Sequence, residues 1–342
     1  MEDELEPMGQ LAAHLDRGWD LVAKGDLRRA TMSAEKSLEL DETSPEAHNL
    51  LGYIAQAEGQ DEDALEHYRH ALELDEGYVD AMLNAADVLV RLKDHDGALS
   101  MVHEALDWLQ EDEIDERTDA MLVELDIHLF RGEAEAAASV ARDLPTGPFE
   151  NPSLVLHVGR AKLDTGDLDG AEPLVLEAIA QQPPSSDAFY YHGLIREQRD
   201  DPRGTLLAFL QARELDARTP PMPWSLPREQ LEQRVQAVFA GLPADLTKVL
   251  EGALVVVTDL PGAEIVADGV DPRLPVLLDV PAEEAEAPTR VVRVFLYQRN
   301  IERVAAGVLE IDEEIRRALE AELRATFPHL AAEDAPPPPE EG

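Results

Sequence analysis

No cysteine occurs in the 342 residues, which excludes disulfides, zinc–thiolate sites and a thiol nucleophile but leaves the compartment open. No apolar run approaches the roughly eighteen residues that a membrane-spanning helix needs. The first residues, Met-Glu-Asp-Glu-Leu-Glu-Pro, are acidic where a signal peptide carries basic residues and then an apolar stretch, so a cytoplasmic place is expected. Cations are scarce: 29 Lys and Arg stand against 72 Asp and Glu, a formal net charge of −43. Such a surface repels phosphate backbones and anionic headgroups, so neither a nucleic-acid nor a membrane partner is expected. A protein or peptide partner fits, with basic ones favoured by charge, although solubility alone would also account for the acids. Those acids are interleaved with Ala, Leu and Val in periodic patterns, which places the charge on folded surface.

Enzyme motifs are missing too. No Gly-rich phosphate loop precedes a lysine, and Gly262 and Gly269 read as turns. Ser100, Ser139 and Ser225 have no His-plus-carboxylate arrangement that a sequence could define. His67 and His70 lie one helical turn apart near Glu66 and Glu73, but on the outward side of a second helix, where surface histidines are common. No catalytic residue, cofactor or metal is predicted.

What is present is a repeat of 34 residues. Gly18 and Gly52 are 34 apart, and Ala86 follows at the same step; Gly25 and Gly59, Ala30, Ala64 and Ala98, and Leu40-Asp41 with Leu74-Asp75 keep it. Gly132 and Gly166, Gly159 and Gly193, and Ala137 and Ala171 resume it after a five-residue slip around Asp112–Arg117. Six copies follow: 11–44, 45–78, 79–112, 118–149, 152–185 and 186–219. Each predicts a helix–turn–helix, with Gly or Ala where the helices cross, Gly59 or Gly166 ending the first helix, and Pro45, Pro152 and Pro183 at turns. Tyr68, Val102, Val175 and Phe209 are the large residues expected to fill the joints.

The pattern closely resembles the tetratricopeptide repeat (TPR) family over residues 11–219. The resemblance implies a stacked superhelix whose concave groove binds peptides. Its groove positions would fall at Trp19, Asn49, Tyr53, Asn84, Asp87, His157, Arg160, Tyr190, Tyr191 and Glu197. Asn suits an extended backbone and Tyr offers area at low entropy cost, although Trp19 and Tyr53 equally suit packing between repeats. Arg91, Lys93 and Arg160 are too scattered for the carboxylate clamp of some TPR chaperone adaptors.

The C-terminal third changes period. Residues 1–10 read as a flexible acidic start and 220–227 as a Pro-rich linker or docking segment. An amphipathic helix over Pro227–Gly241 is predicted to be capped by Ser225 with Glu229. Strands follow at Ala253–Thr258, Ala263–Ala267, Pro275–Val280 and Arg290–Tyr297, then a helix over Glu310–Phe327. This makes 228–330 a small α+β domain, with 331–342 a disordered Pro/Glu tail. Ala240-Gly241-Leu242-Pro243, Val255–Asp259, Leu296-Tyr297 and Ile301 occur in an order that resembles the minimal zincin metallopeptidases. That family's last helix carries His-Glu-x-x-His, two histidines holding zinc and a glutamate activating water. Aligned on Phe327, the ligand positions hold Ala321, Ala325 and Thr326, and only Glu322 survives. The resemblance therefore implies a peptidase fold without its metal.

The sequence thus predicts an α-helical TPR superhelix followed by a small α+β domain, acting as a non-enzymatic scaffold for peptide or protein segments. The C-terminal domain would cap the last repeat, with Trp224 and Leu226 meeting Leu206, Phe209 and Leu210. An altered hydrolase using Glu322, and a chaperone or assembly factor for one basic client, are the other readings. Oligomeric state is not encoded legibly.

Overall fold

A computed structural model describes residues 7–281, 290–305 and 307–328. The chain forms two compact units, 1–180 and 181–342. Among its described residues the first contains ten helices in antiparallel pairs: α1 (Pro7–Ala23) with α2 (Leu27–Leu40), α3 (Pro45–Ala57) with α4 (Asp61–Leu74), α5 (Val79–Arg91) with α6 (His95–Trp108), α7 (Ile114–Phe130) with α8 (Ala134–Asp143), and α9 (Ser153–Asp164) with α10 (Leu168–Ala180).

Local chemistry sets these limits. Asp26, Ser44 and Asp94 accept from the amides of Arg29, Ala47 and Gly97, three helix starts capped by side chains. Gly59 and Gly166 follow α3 and α9 at φ 77° and 83°, a left-handed turn that a Cβ would strain. Helix α1 begins at Pro7, so residues 7–10 are its first turn rather than part of a flexible start; residues 1–6 lie outside the described residues. Helix α7 begins at Ile114, before the expected 118, and has 17 residues where α3 and α5 have 13. One added turn at its N-terminus takes up the five-residue slip.

Within the second and fifth pairs a glycine sits against a large residue, Gly52 against Tyr68 and Gly159 against Val175, and Gly18 of α1 sits against Leu50 of α3. A Cβ added to Gly52 would lie 2.6 Å from the Tyr68 ring. Tyr68, Val102 and Val175 are fully buried, and one cluster runs from Ala55 and Tyr68 through Ala85 and Val88 to Val102 and Ile127. Gly52→Val is expected to cost about 2–3 kcal/mol, because both backbone and ring are fixed. Urea denaturation checks this; a loss below about 0.5 kcal/mol would show that the pair can part at no cost.

The second unit opens with a sixth pair, α11 (Ser186–Gln198) and α12 (Pro202–Arg218). It continues with α13 (Arg228–Ala240), α14 (Ala244–Val249), β1 (Leu254–Thr258), α15 (Ala263–Ala267), β2 (Val276–Asp279), β3 (Arg293–Tyr297), α16 (Gln298–Val304) and α17 (Ile311–Thr326). The sheet order is β1-β3-β2. β1 runs parallel to β3 with Val255 opposite Val294, and β2 runs antiparallel with Val276 opposite Leu296. Ile311, Ile315, Leu319 and Leu323 recur every fourth residue on α17 and are buried with Leu231, Val235, Val294, Leu296 and Phe327.

Two expectations need correction here. Ala263–Ala267 is a helix, not a strand; Ile265 and Val266 suggest strand, but Ala and Glu favour a turn of helix after the Pro261-Gly262 corner, and α15 packs on α12. Ser225 does not cap α13, whose N-cap is Pro227; its hydroxyl instead donates to the buried Glu302 carboxylate at 2.9 Å. Trp224 and Leu226 pack against the α+β core, so 220–227 is a docked strap. The tail 331–342 lies outside the described residues.

Candidate functional site: the face of the odd-numbered helices

In the first unit α1 touches α3, α3 touches α5, α5 touches α7 and α7 touches α9, whereas consecutive even helices stand further apart. The odd helices therefore line the inner face of the stack. Side chains one repeat apart form columns along it. Trp19 and Tyr53 meet edge to face at 5.3 Å and are each over one-third exposed. The same column continues into Asp87, then Asp126, then Arg160.

Several of the expected groove residues are occupied with one another. Asn49 is buried: its Nδ2 donates to Tyr78 Oη at 3.2 Å, and its Oδ1 accepts from Asn84 Nδ2 at 3.0 Å. It clasps two repeats and is not exposed to read a peptide. Asp87 accepts from Gln56 Nε2 and, at 3.3 Å, from Arg91, which also donates to Asp61 at 2.6 Å. Arg160 donates to Asp126 at 2.7 Å and pairs with Asp164 at 3.3 Å. His157 is exposed.

Tyr190, Tyr191 and Glu197 belong to the second unit. Tyr190 donates to Asp271 Oδ2 at 2.9 Å beneath the Arg273 guanidinium, 4.4 Å from its ring centroid, and Tyr191 lies beside it at 5.9 Å. Glu197 is exposed. Burial raises the Tyr190 hydroxyl pKa, and Asp271 adds to the shift.

Residue spacing had concealed an acidic row. Asp80 and Asp119, and Asp87 and Asp126, are each 39 apart, the repeat length plus the slip. The surrounding protein raises the Asp80 carboxyl, with Glu116 adding to it. It raises Asp119 likewise, His157 opposing and Asp115 and Glu116 reinforcing. Asp164 is raised too, with Arg160 opposing and Asp126 reinforcing. Carrying the 34-residue column across the slip would have exposed this row.

Elsewhere, His48 joins His67 and His70, with ring centroids 6.0 and 4.3 Å away. Burial lowers the pKa of His48 and His67, and neighbouring imidazoles add to this. On α17, Ala321 and Ala325 are exposed and Glu322 and Thr326 partly so. Burial pushes the Glu322 carboxyl up. Ala321 lines a cavity of about 180 Å³ with Pro275, Ile301 and Val304. Among the described residues, no group of three or more His, Asp or Glu is placed to hold a metal.

The family profile described as tetratricopeptide repeat matches residues 15–79 and again residues 55–115. The chain carries TPR repeats. The TPR-like superhelix is similar to PilF of Pseudomonas aeruginosa, at 19% identity and TM-score 0.50, over 61% of this chain and 93% of that one. PilW, a type IV pilus biogenesis factor, matches at 17% identity and TM-score 0.49, over 60% and 92%. YrrB, a TPR protein with an unusual peptide-binding site, matches at 20% and 0.39, over 53% and 91%. At 19% identity the likeness to PilF is one of fold alone. No curated protein matches the sequence. No helix among the described residues is long and apolar enough to cross a membrane.

Proposed function

We propose that the TPR unit is a non-catalytic scaffold whose odd-helix face binds extended, basic segments of partner proteins. The observation that carries this is the gradient along that face: an exposed aromatic pair on α1 and α3, then carboxylates on α5, α7 and α9. Three of those carboxyls are raised by burial and by a neighbouring carboxylate: Asp80 by Glu116, Asp119 by Asp115 and Glu116, and Asp164 by Asp126. A lysine or arginine laid along the row relieves that repulsion, while Trp19 and Tyr53 offer apolar area and cation–π faces.

Asp80→Asn/Asp119→Asn is expected to weaken binding of a fluorescent Lys/Arg-rich peptide about three- to tenfold without lowering the thermal midpoint of the free protein. A bound cation draws the raised carboxyls back down, so binding releases protons and weakens as pH falls into the carboxylate range. Anisotropy titrations over pH and salt test both; affinity unchanged in the double variant would sink the proposal.

The α+β part of the second unit we propose to be a zincin-like fold that has lost its metal, serving as a binding or structural module. Its support is the α17 chemistry, where Ala321, Ala325 and Thr326 offer no imidazole. Zinc bound stoichiometrically to purified protein would overturn it.

A further inference from the structure

The strand β1 is an edge. It pairs only with β3 among the described residues. The amide of Leu254 donates to Val292 O at 2.9 Å, so the main-chain groups of Leu254, Val256 and Thr258 face β3. In a parallel ladder those of Val255 and Val257 then face outward. The Val257 carbonyl accepts from the Arg228 guanidinium. The N–H and C=O of Val255 and the N–H of Val257 have no protein partner among the described residues.

The sequence Leu-Val-Val-Val-Thr is an unusual one to leave unpaired, because a β-branched, uncharged edge is a template for strand addition. Leu254 is 61% exposed and Val255 38%. Beside the edge, Val255 and Val257 form one wall of a cavity of about 360 Å³ whose other wall is Val235 and Phe239 of α13. Phe239 also borders a second cavity, of about 720 Å³, with Leu242 and Leu250. Two apolar recesses joined at one aromatic ring, next to free main-chain donors and an acceptor, match what an added strand needs: alternate side chains in pockets and a backbone to pair with.

We propose that β1 takes up an extended segment of a basic partner protein as a fourth strand, with alternate apolar side chains entering these two recesses. Charge selects the occupant. A second copy of this chain brings another net charge of −43 to the same edge, whereas a basic segment is attracted over the same distance. Glu232 and Glu251 stand one at each recess, Glu232 bridged to Arg228 at 3.1 Å and Glu251 beside Lys248, so local charge tunes docking that the main chain and apolar contacts carry.

The test uses the full chain and an acetylated heptapeptide of alternating valine and lysine. Hydrogen exchange at the Val255 and Val257 amides is expected to slow about tenfold or more on saturation. The same peptide with N-methylated valines, or with glutamate for lysine, is expected to bind at least about tenfold more weakly. Val255→Pro removes an outward donor and no ladder bond, so it should abolish the protection while leaving the fold; the N-methylated peptide gives the same information on the unaltered protein. Protection confined to the odd helices of the TPR unit, or equal binding of the N-methylated peptide, would overturn the proposal. So would protection of the same amides by concentration-dependent dimerisation in sedimentation, which would make the occupant a second copy.

Discussion

Arg273→Ala is expected to destabilise the second unit by about 3–5 kcal/mol, because it breaks a buried charge network at its centre. The Arg273 side chain is 9% exposed and that of Asp216 3%. Arg273 Nε pairs with Asp216 at 3.2 Å, and Nη2 with Asp187 at 2.6 Å and with Ser186 Oγ at 3.2 Å. Its guanidinium also covers the Tyr190 ring, and its amide donates to Asp271 at 2.7 Å, which fixes the loop that carries it. Arg303 supplies a second cation to Asp216 at 2.8 Å. Removing Arg273 leaves the buried Asp216 with Arg303 as its remaining salt-bridge partner and opens a void over Tyr190.

The same network sets an acid limit. Burial pushes the Asp216 carboxyl up, but Arg273 and Arg303 together outweigh it and hold it below its ordinary value of 3.8. A depressed carboxyl stabilises the fold above its unfolded pKa and ceases to as pH falls through the folded one, so this contribution is intact at neutral pH and lost below about pH 4. In Arg273→Ala the burial is less opposed, and acid unfolding should begin at higher pH. Urea melts at pH 7 and pH 4 measure both effects. A change below about 1 kcal/mol at pH 7 would mean that the pair only breaks even against its own desolvation.

The network also shows where sequence reading ran out. The 34-residue step placed five helix pairs of the first unit, because Gly and Ala at the crossings and Gly at the turns are local necessities. The same step covers α11 and α12, yet these fall in the unit with the sheet. The residues that hold them there, Asp187, Asp216, Arg213 and Arg273, are ordinary charged residues on a periodic background. Arg213 Nε donates to the Pro261 carbonyl at 3.0 Å, 48 residues away, and α15 packs on α12. No local pattern announces such pairings. Asn49 is a related case: its position within the repeat suggests the inner face, but only the neighbouring Tyr78 and Asn84 decide that it is a buried clasp. Ser225 likewise reads as a cap until Glu302, 77 residues on, claims its hydroxyl.

Tyr68→Ala is expected to cost the first unit about 3–5 kcal/mol, in the range of large aromatic truncations. Tyr68 is fully buried, its ring presses on Gly52, and its hydroxyl donates to Gln56 Oε1 at 2.7 Å. Gln56 in turn donates from Nε2 to Asp87 on α5. The truncation therefore leaves a cavity between α3 and α4 and frees the amide that ties the second pair to the third. In a stack whose stability is a sum of repeat and neighbour terms, loss at one joint propagates to the adjoining helices. Hydrogen exchange should consequently quicken along α3, α4 and α5 and much less along α9 and α10. Tyr68→Phe keeps the ring and removes only the hydroxyl, for an expected loss of about 0.5–1.5 kcal/mol. Because it releases Gln56 from Tyr68 but leaves the apolar joint filled, it should loosen Asp87 and lower affinity for the basic peptide more than it lowers stability. Equal proportional losses in Tyr68→Phe would show that the hydroxyl serves the core alone, and an exchange pattern uniform from α1 to α10 would show that the five pairs unfold as one block.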